Sequence, residues 1–159
     1  MDGNMARKPK DPVVVGWREF VALPEWGITR LKAKIDTGAR TSAIHVGDLE
    51  ELPDGRVRFE IVVREKPNLR TTMVEATPVR GANVKSSSGH KQKRLVFRTR
   101  LVLGEIDREI ELSLVSRKGM LCRMLVGMLA LPSHALVRPS RKYLQSDAPG
   151  TLNQKKDKP

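Results

Sequence analysis

Short apolar runs that repeat at every second residue, each bounded by turn residues, constrain this chain more than any other feature. Val57, Phe59, Ile61 and Val63 alternate with Arg58, Glu60 and Arg64. An extended segment with this pattern is apolar on one side and charged on the other, as a half-buried strand must be. Over Ile28 to Ile35 the set Thr29, Leu31, Ala33 and Ile35 is largely apolar against Ile28, Arg30, Lys32 and Lys34, so the first set is expected to be buried. Ile110, Leu112 and Leu114 share a face, and Leu95–Leu103 with Ile106–Val115 predicts a hairpin around Gly104. Asp54-Gly55, Pro67-Asn68 and the run Leu23 to Gly27 mark turns, and Thr71 to Ala76 is a return strand. Pro12 to Val21 holds Val13, Val14, Val15 and Phe20, punctuated by Gly16. Only Met124 to Leu131 suggests a helix, and it is short. Many short strands and one short C-terminal helix predict a mainly β, single-domain barrel.

The 159 residues suit one domain with a modest core, and 39% apolar against 30% charged residues is a globular balance. No apolar run is long enough to span a bilayer. The first residues are polar, carry Arg7, Lys8 and Lys10, and lead into no signal-peptide core, so a cytoplasmic location is expected. One cysteine, Cys122, excludes an intrachain disulfide framework and is expected to be a buried structural thiol. Residues 1–12 and the polar, Lys-rich residues 145–159 are expected to be disordered, leaving 13–144 as the domain. The net charge is +12. Such a surface attracts nucleic acid, anionic lipid or acidic polypeptide. With two Trp, one Tyr and three Phe the chain lacks a stacking platform for single strands, so nucleic acid is disfavoured. Most of these cations are expected to form an ordinary solvated surface.

The chemistry is expected just past the Ile28–Ile35 strand. In Lys34-Ile35-Asp36-Thr37-Gly38-Ala39 a carboxylate sits on the turn where a buried strand ends. Asp36 can act as general acid or base. Gly38 allows close backbone approach, and φ values that a side chain forbids, so that its N–H can reach the carboxylate. Thr37 offers a hydroxyl to pin the loop, and Thr41 and Ser42 offer similar bonds. Asp-Thr-Gly by itself is equally a plain exit from a strand into a turn.

Its surroundings decide the matter. The segments Gly16-Trp17-Arg18-Glu19-Phe20-Val21-Ala22-Leu23-Pro24 and Lys32-Ala33-Lys34-Ile35-Asp36-Thr37-Gly38-Ala39-Arg40-Thr41-Ser42-Ala43-Ile44-His45 are long and specific. Val84 to Gly89, Ile110 to Leu114, Cys122 to Gly127 and Ser140 to Leu144 follow in order. Across Val15 to Leu144 the chain resembles the bacterial retropepsin-like aspartic protease family, labelled in older usage ATP-dependent zinc protease. It departs from that family at Met128, where Arg is usual, and at Arg138, where Asp is usual.

The resemblance implies a retropepsin-like acid-protease barrel and an aspartic endopeptidase. Asp36, Thr37 and Gly38 would be the catalytic turn, with Ala39 and a flap tip of Ser86, Ser87, Ser88 and Gly89 binding substrate. It implies Leu125-Val126-Gly127 packed behind the catalytic turn. It also implies a homodimer, because one Asp-Thr-Gly per chain supplies half of the carboxylate pair that peptide hydrolysis needs. The flap taken alone is equally a solvent loop.

No metal or other cofactor is expected. There is no His-Glu-x-x-His, His45, His90 and His134 are scattered, and no Cys-x-x-Cys accompanies the single cysteine. Gly-x-Ser-x-Gly and the Gly-x-x-x-x-Gly-Lys-Ser/Thr phosphate loop are absent. Two readings of different class stay open. One is a peptidase, acting on peptide or protein substrates that include acidic or polyglutamate-modified tails. The other is a non-catalytic basic module of the same fold that holds acidic peptides or nucleic acid.

Overall fold

In the computed structural model, residues 11–85, 91–115 and 122–146 are described. The expected flap tip at Ser86, Ser87, Ser88 and Gly89 lies outside them, as do residues 1–10 and 147–159. Twelve strands run in the order β1 (Val13–Gly16), β2 (Arg18–Leu23), β3 (Ile28–Ile35), β4 (Ser42–His45), β5 (Leu49–Glu51), β6 (Val57–Arg64), β7 (Arg70–Ala76), β8 (Arg80–Lys85), β9 (Lys91–Leu103), β10 (Ile106–Val115), β11 (Met124–Val126) and β12 (Ala135–Arg138). Six of them close into a barrel in the order β10-β4-β11-β3-β2-β9, with β9 pairing back onto β10. No helix among the described residues is long and apolar enough to cross a membrane.

The alternation read from the sequence is what builds the wall. Leu31, Ala33 and Ile35 of β3 point inward with Val21 and Leu23 of β2, and Ile110, Leu112 and Leu114 of β10 join them. A second unit, the antiparallel meander β5-β6-β7, lays the Val57, Phe59 and Ile61 face of β6 against the barrel. The seam is aromatic. Phe59 and Phe97 have ring centroids 5.3 Å apart, and Trp26 meets Phe59 edge-on at 5.3 Å and Phe97 at 6.2 Å. Such contacts add about 0.5–1.5 kcal/mol each beyond the area they bury.

The expected helix over Met124 to Leu131 is a strand, β11, followed by a single 3-10 turn at Met128–Ala130. A short apolar run has no periodicity that separates the two structures. Here the sheet claims the backbone, because β11 is hydrogen-bonded on both edges, parallel to β3 and antiparallel to β4. Gly127, extended at φ −84° and ψ 172°, ends the strand before a helix can form.

The C-terminal segment is tied to the barrel by one carboxyl group. Glu19 lies on the inner face of β2 and is fully buried. It accepts from the Gly16 N–H at 2.6 Å, the Leu144 N–H at 2.8 Å, the Gln145 N–H at 3.2 Å, the Ser146 N–H at 3.1 Å and the Ser146 hydroxyl at 2.6 Å. Gln145 and Ser146, placed in the tail by composition, are therefore held by the domain. Phe20 and Tyr143 stack above this clasp at 5.1 Å.

Glu19→Gln keeps the size of the side chain but turns an amide donor toward N–H groups that need acceptors. Unsatisfied buried donors of this kind cost about 1–3 kcal/mol each. The variant should therefore lose about 2–4 kcal/mol of unfolding free energy in a urea titration. A loss below about 0.5 kcal/mol, the range of an ordinary surface change, would show the clasp to be dispensable.

Candidate active site

Strand β3 delivers Asp36. Its last residue, Ile35, is buried and donates its N–H to the Trp17 carbonyl at 2.8 Å. The Asp36 N–H then donates to the Val126 carbonyl at 2.9 Å, so the residue emerges with its backbone already held by β11. The chain turns at once, with the Ala39 N–H donating to the Asp36 carbonyl at 3.2 Å. Within that turn the Gly38 N–H donates to the Asp36 carboxylate at 2.9 Å.

Of the two reasons expected for Gly38, close approach and a special φ, the structure shows the first. Its φ is not in the left-handed region, which among the described glycines holds only Gly27, Gly55 and Gly104. A Cβ on Gly38 would sit 3.2 Å from Asp36 Oδ1 and crowd the carboxylate it serves. Proximity, not handedness, selects the glycine.

Residues 126–129 support the turn from behind, as expected for Leu125-Val126-Gly127. The Met128 N–H donates to the Ala39 carbonyl at 2.8 Å and the Leu129 N–H to the Arg40 carbonyl at 3.0 Å. The Gly127 N–H donates to the Ser42 hydroxyl at 3.0 Å. The approach is close enough that a Cβ on Gly127 would lie 2.5 Å from the Thr41 carbonyl carbon and oxygen. Of the three hydroxyls near the turn only Ser42 is used among the described residues. Thr37 and Thr41 are exposed and make no hydrogen bond through their side chains among the described residues.

Ala39 is partly buried, on the limb that leaves Asp36. The stems of the hairpin expected to carry the flap pair in register, Val84 with Gln92 and Lys85 with Lys91. Cys122 is buried. No group of three or more His, Cys, Asp or Glu side chains converges among the described residues. His45, on β4, is buried. That burial, with the Arg123 charge behind it and Glu65 opposing, lowers its imidazole below the ordinary value.

Comparison with known proteins gives three findings. Residues 14–148 match the RimB-like family, described as retropepsin-like aspartic endopeptidase RimB. A probable alpha-L-glutamate ligase of Shewanella pealeana is 35% identical over 133 residues, which is 82% of this chain and 29% of that protein. A protein of the same description from Desulfotalea psychrophila is 32% identical over 143 residues, 88% of this chain and 30% of the relative. The chain thus spans less than a third of the length of these curated relatives. A crystal structure of a Legionella pneumophila protein of unknown function superposes with a TM-score of 0.68 at 25% identity, covering 84% of this chain and 98% of the other.

Two outcomes follow from this geometry. Gly127→Ala must push the Thr41 backbone away, so the 36–41 turn should shift while the barrel persists. Amide exchange at Gly38 and Ala39 should rise by about tenfold or more, equivalent to about 1.4 kcal/mol of local stability, with barrel amides unchanged. Unaltered exchange at both positions would contradict the close packing. His45 sets a pH slope. The unfolded chain takes up the imidazole proton first as pH falls below about 6.5, so the stability linked to His45 is present at neutral pH and lost below it. His45→Gln should flatten the change in urea midpoint between about pH 7 and pH 5. An undiminished slope would place the acid sensitivity elsewhere.

Proposed function

We propose that this chain, which belongs to the RimB-like family of retropepsin-like aspartic endopeptidases, is an aspartic peptidase whose site forms between two copies. The observation that carries the reading is the Asp36 turn itself. Its carboxylate takes an N–H from Gly38, and its backbone is pinned to β11, at the end of a buried strand. That arrangement fixes a carboxylate where it is open to a partner.

Two such carboxylates facing each other across a twofold axis share one proton, because like charges so close cannot both ionise. The ionised Asp36 takes a proton from water as the water oxygen bonds to the scissile carbonyl carbon. The protonated Asp36 of the other copy gives its proton to the carbonyl oxygen, forming a gem-diol. One hydroxyl of the diol then returns its proton to a carboxylate, the amide nitrogen takes a proton from the dyad, and the C–N bond breaks. The titration belongs to the pair and not to either residue. Support for pairing lies beside the turn. Met128 and Leu129, which hold Ala39 and Arg40 through their N–H groups, leave their side chains 52% and 56% exposed. Apolar side chains uncovered next to a site mark a surface that a partner covers.

Acidic peptides are the substrate class that fits best. The chain carries +12. Its curated relatives are named for the ligation of L-glutamate, and a peptidase region within such a polypeptide would have glutamate-rich chains at hand.

Asp36→Asn should abolish cleavage of a peptide library while leaving the fold and the dimer intact. Excess Asp36→Asn chains, once exchanged with wild type, should silence it, since each hybrid has one competent carboxylate. Activity should also fall on dilution in step with dimer dissociation followed by sedimentation. Equal cleavage by wild type and Asp36→Asn would sink the reading. Peptide binding without any cleavage would favour the binding module instead.

A further inference from the structure

Among the described residues, several carboxylates are paired with arginines on two sheets. On the meander, Arg56 pairs with Asp54 and Glu75, and Arg58 pairs with Glu75 and Glu50. Along β8 to β10, Arg80 and Arg98 pair with Glu111, and Arg100 pairs with Asp107. The hydrogen bonds in these pairs hold Asp54, Glu75, Asp107 and Glu111 below the usual carboxylate range. The excess positive charge therefore lies elsewhere.

Part of it surrounds the Asp36 turn. Lys34 stands two residues before Asp36 on the exposed side of β3, about 6.6 Å along the strand. Arg18 of β2 is its direct register partner, so the two project from the same outer face of the antiparallel pair. Arg40, exposed, leaves the turn on the other limb. None of the three forms an ion pair with a carboxylate among the described residues. Arg18 Nε is moreover shielded from solvent with no hydrogen-bond partner, while its guanidinium rests 4.6 Å above the Trp17 ring. Most exposed cations are merely solvated. These three differ in flanking one candidate catalytic carboxylate from both limbs of its turn.

We propose that Arg18, Lys34 and Arg40 form an anion-reading subsite that receives side-chain carboxylates of the peptide next to the scissile bond. The inference rests on the peptidase reading for its location, but not for its test. It gives the acidic preference a place, because alternate side chains of an extended peptide repeat at the same spacing of about 6.6 Å as the outward residues of β3. Pairing about a twofold axis would repeat the set, so acidic residues would be read on both sides of the cleaved bond.

Binding tests this without cleavage. Full-length Asp36→Asn protein is titrated into labelled oligoglutamate and into oligoglutamine of equal length, and anisotropy is followed. Oligoglutamate should bind at least about tenfold tighter, as charge-assisted contacts demand. Adding Lys34→Gln and Arg40→Gln should weaken it by about tenfold or more, whereas Arg70→Gln with Arg108→Gln removes the same charge elsewhere and should cost less than about threefold. Equal losses in the two double variants would reduce the effect to general surface charge and overturn the proposal. So would the absence of any preference for oligoglutamate, or tighter binding of a labelled oligonucleotide through Lys34 and Arg40. Wild-type cleavage is scored separately. If the binding pattern holds and no peptide is cut, the subsite stands and the peptidase reading falls. If peptides are cut with no dependence on Lys34 and Arg40, the reverse holds.

Discussion

The three residues of β11 hold the rest of the site in place. Strands β3 and β4 follow one another in sequence yet are not paired; β11, arriving some eighty residues later, sits between them and bonds to both. The turn from Asp36 to Thr41 is the bridge that spans the end of that inserted strand. Its hydrogen bonds to Val126, Met128 and Leu129, and that of the adjoining Ser42 to Gly127, are long-range contacts, so the geometry of the carboxylate is fixed only when the last third of the domain is in place. Contacts of such separation are slow to form and costly in chain entropy.

A second long-range tie works on the opposite side of β3. Glu19 gathers the amides of Leu144, Gln145 and Ser146 onto the β1–β2 corner. From the same corner the Trp17 carbonyl receives Ile35, the residue before Asp36. A buried carboxyl group is tolerated only when its lone pairs are filled, and here backbone donors fill them. Strand β3 is therefore braced by β11 along one edge and by the corner it shares with the C-terminal segment at its end.

Much of this could be read from the residues. The period-two pattern of Val57 to Val63 and of Leu31 to Ile35 gave the strands and their inward faces, because alternation is a direct consequence of strand geometry. Ile28, expected outside, is instead buried and Thr29 is exposed, where the β2–β3 register shifts. The resemblance pointed to the Asp36 turn as the candidate site and to Leu125-Val126-Gly127 behind it, where Val126 and Gly127 bond to Asp36 and Ser42. Less could be read where partners are distant. Met124–Leu131 suggested a helix because a short run does not declare which edges will bond it. Glu19 alternates with Val21 and Leu23, which puts it on the inner face of β2, but the distant Leu144, Gln145 and Ser146 donors that fill its lone pairs are not visible in the sequence. Lys34 and Arg40 lie inside the quoted motif, but the sequence does not show that Arg18 is the register partner of Lys34 or that the cations flank Asp36 on both limbs of its turn.

Strand β9 is thirteen residues long. Its first half pairs with β8 and its second half with β10, and both registers pass through Val96 without a shift. One rod thus serves as barrel wall at one end and as hairpin arm at the other, with no joint between. Any swing of the arm must flex the rod along its length, and the bend is transmitted to β10 and through it to β4, the strand that receives the chain after Asp36. The arm and the carboxylate therefore belong to one elastic body.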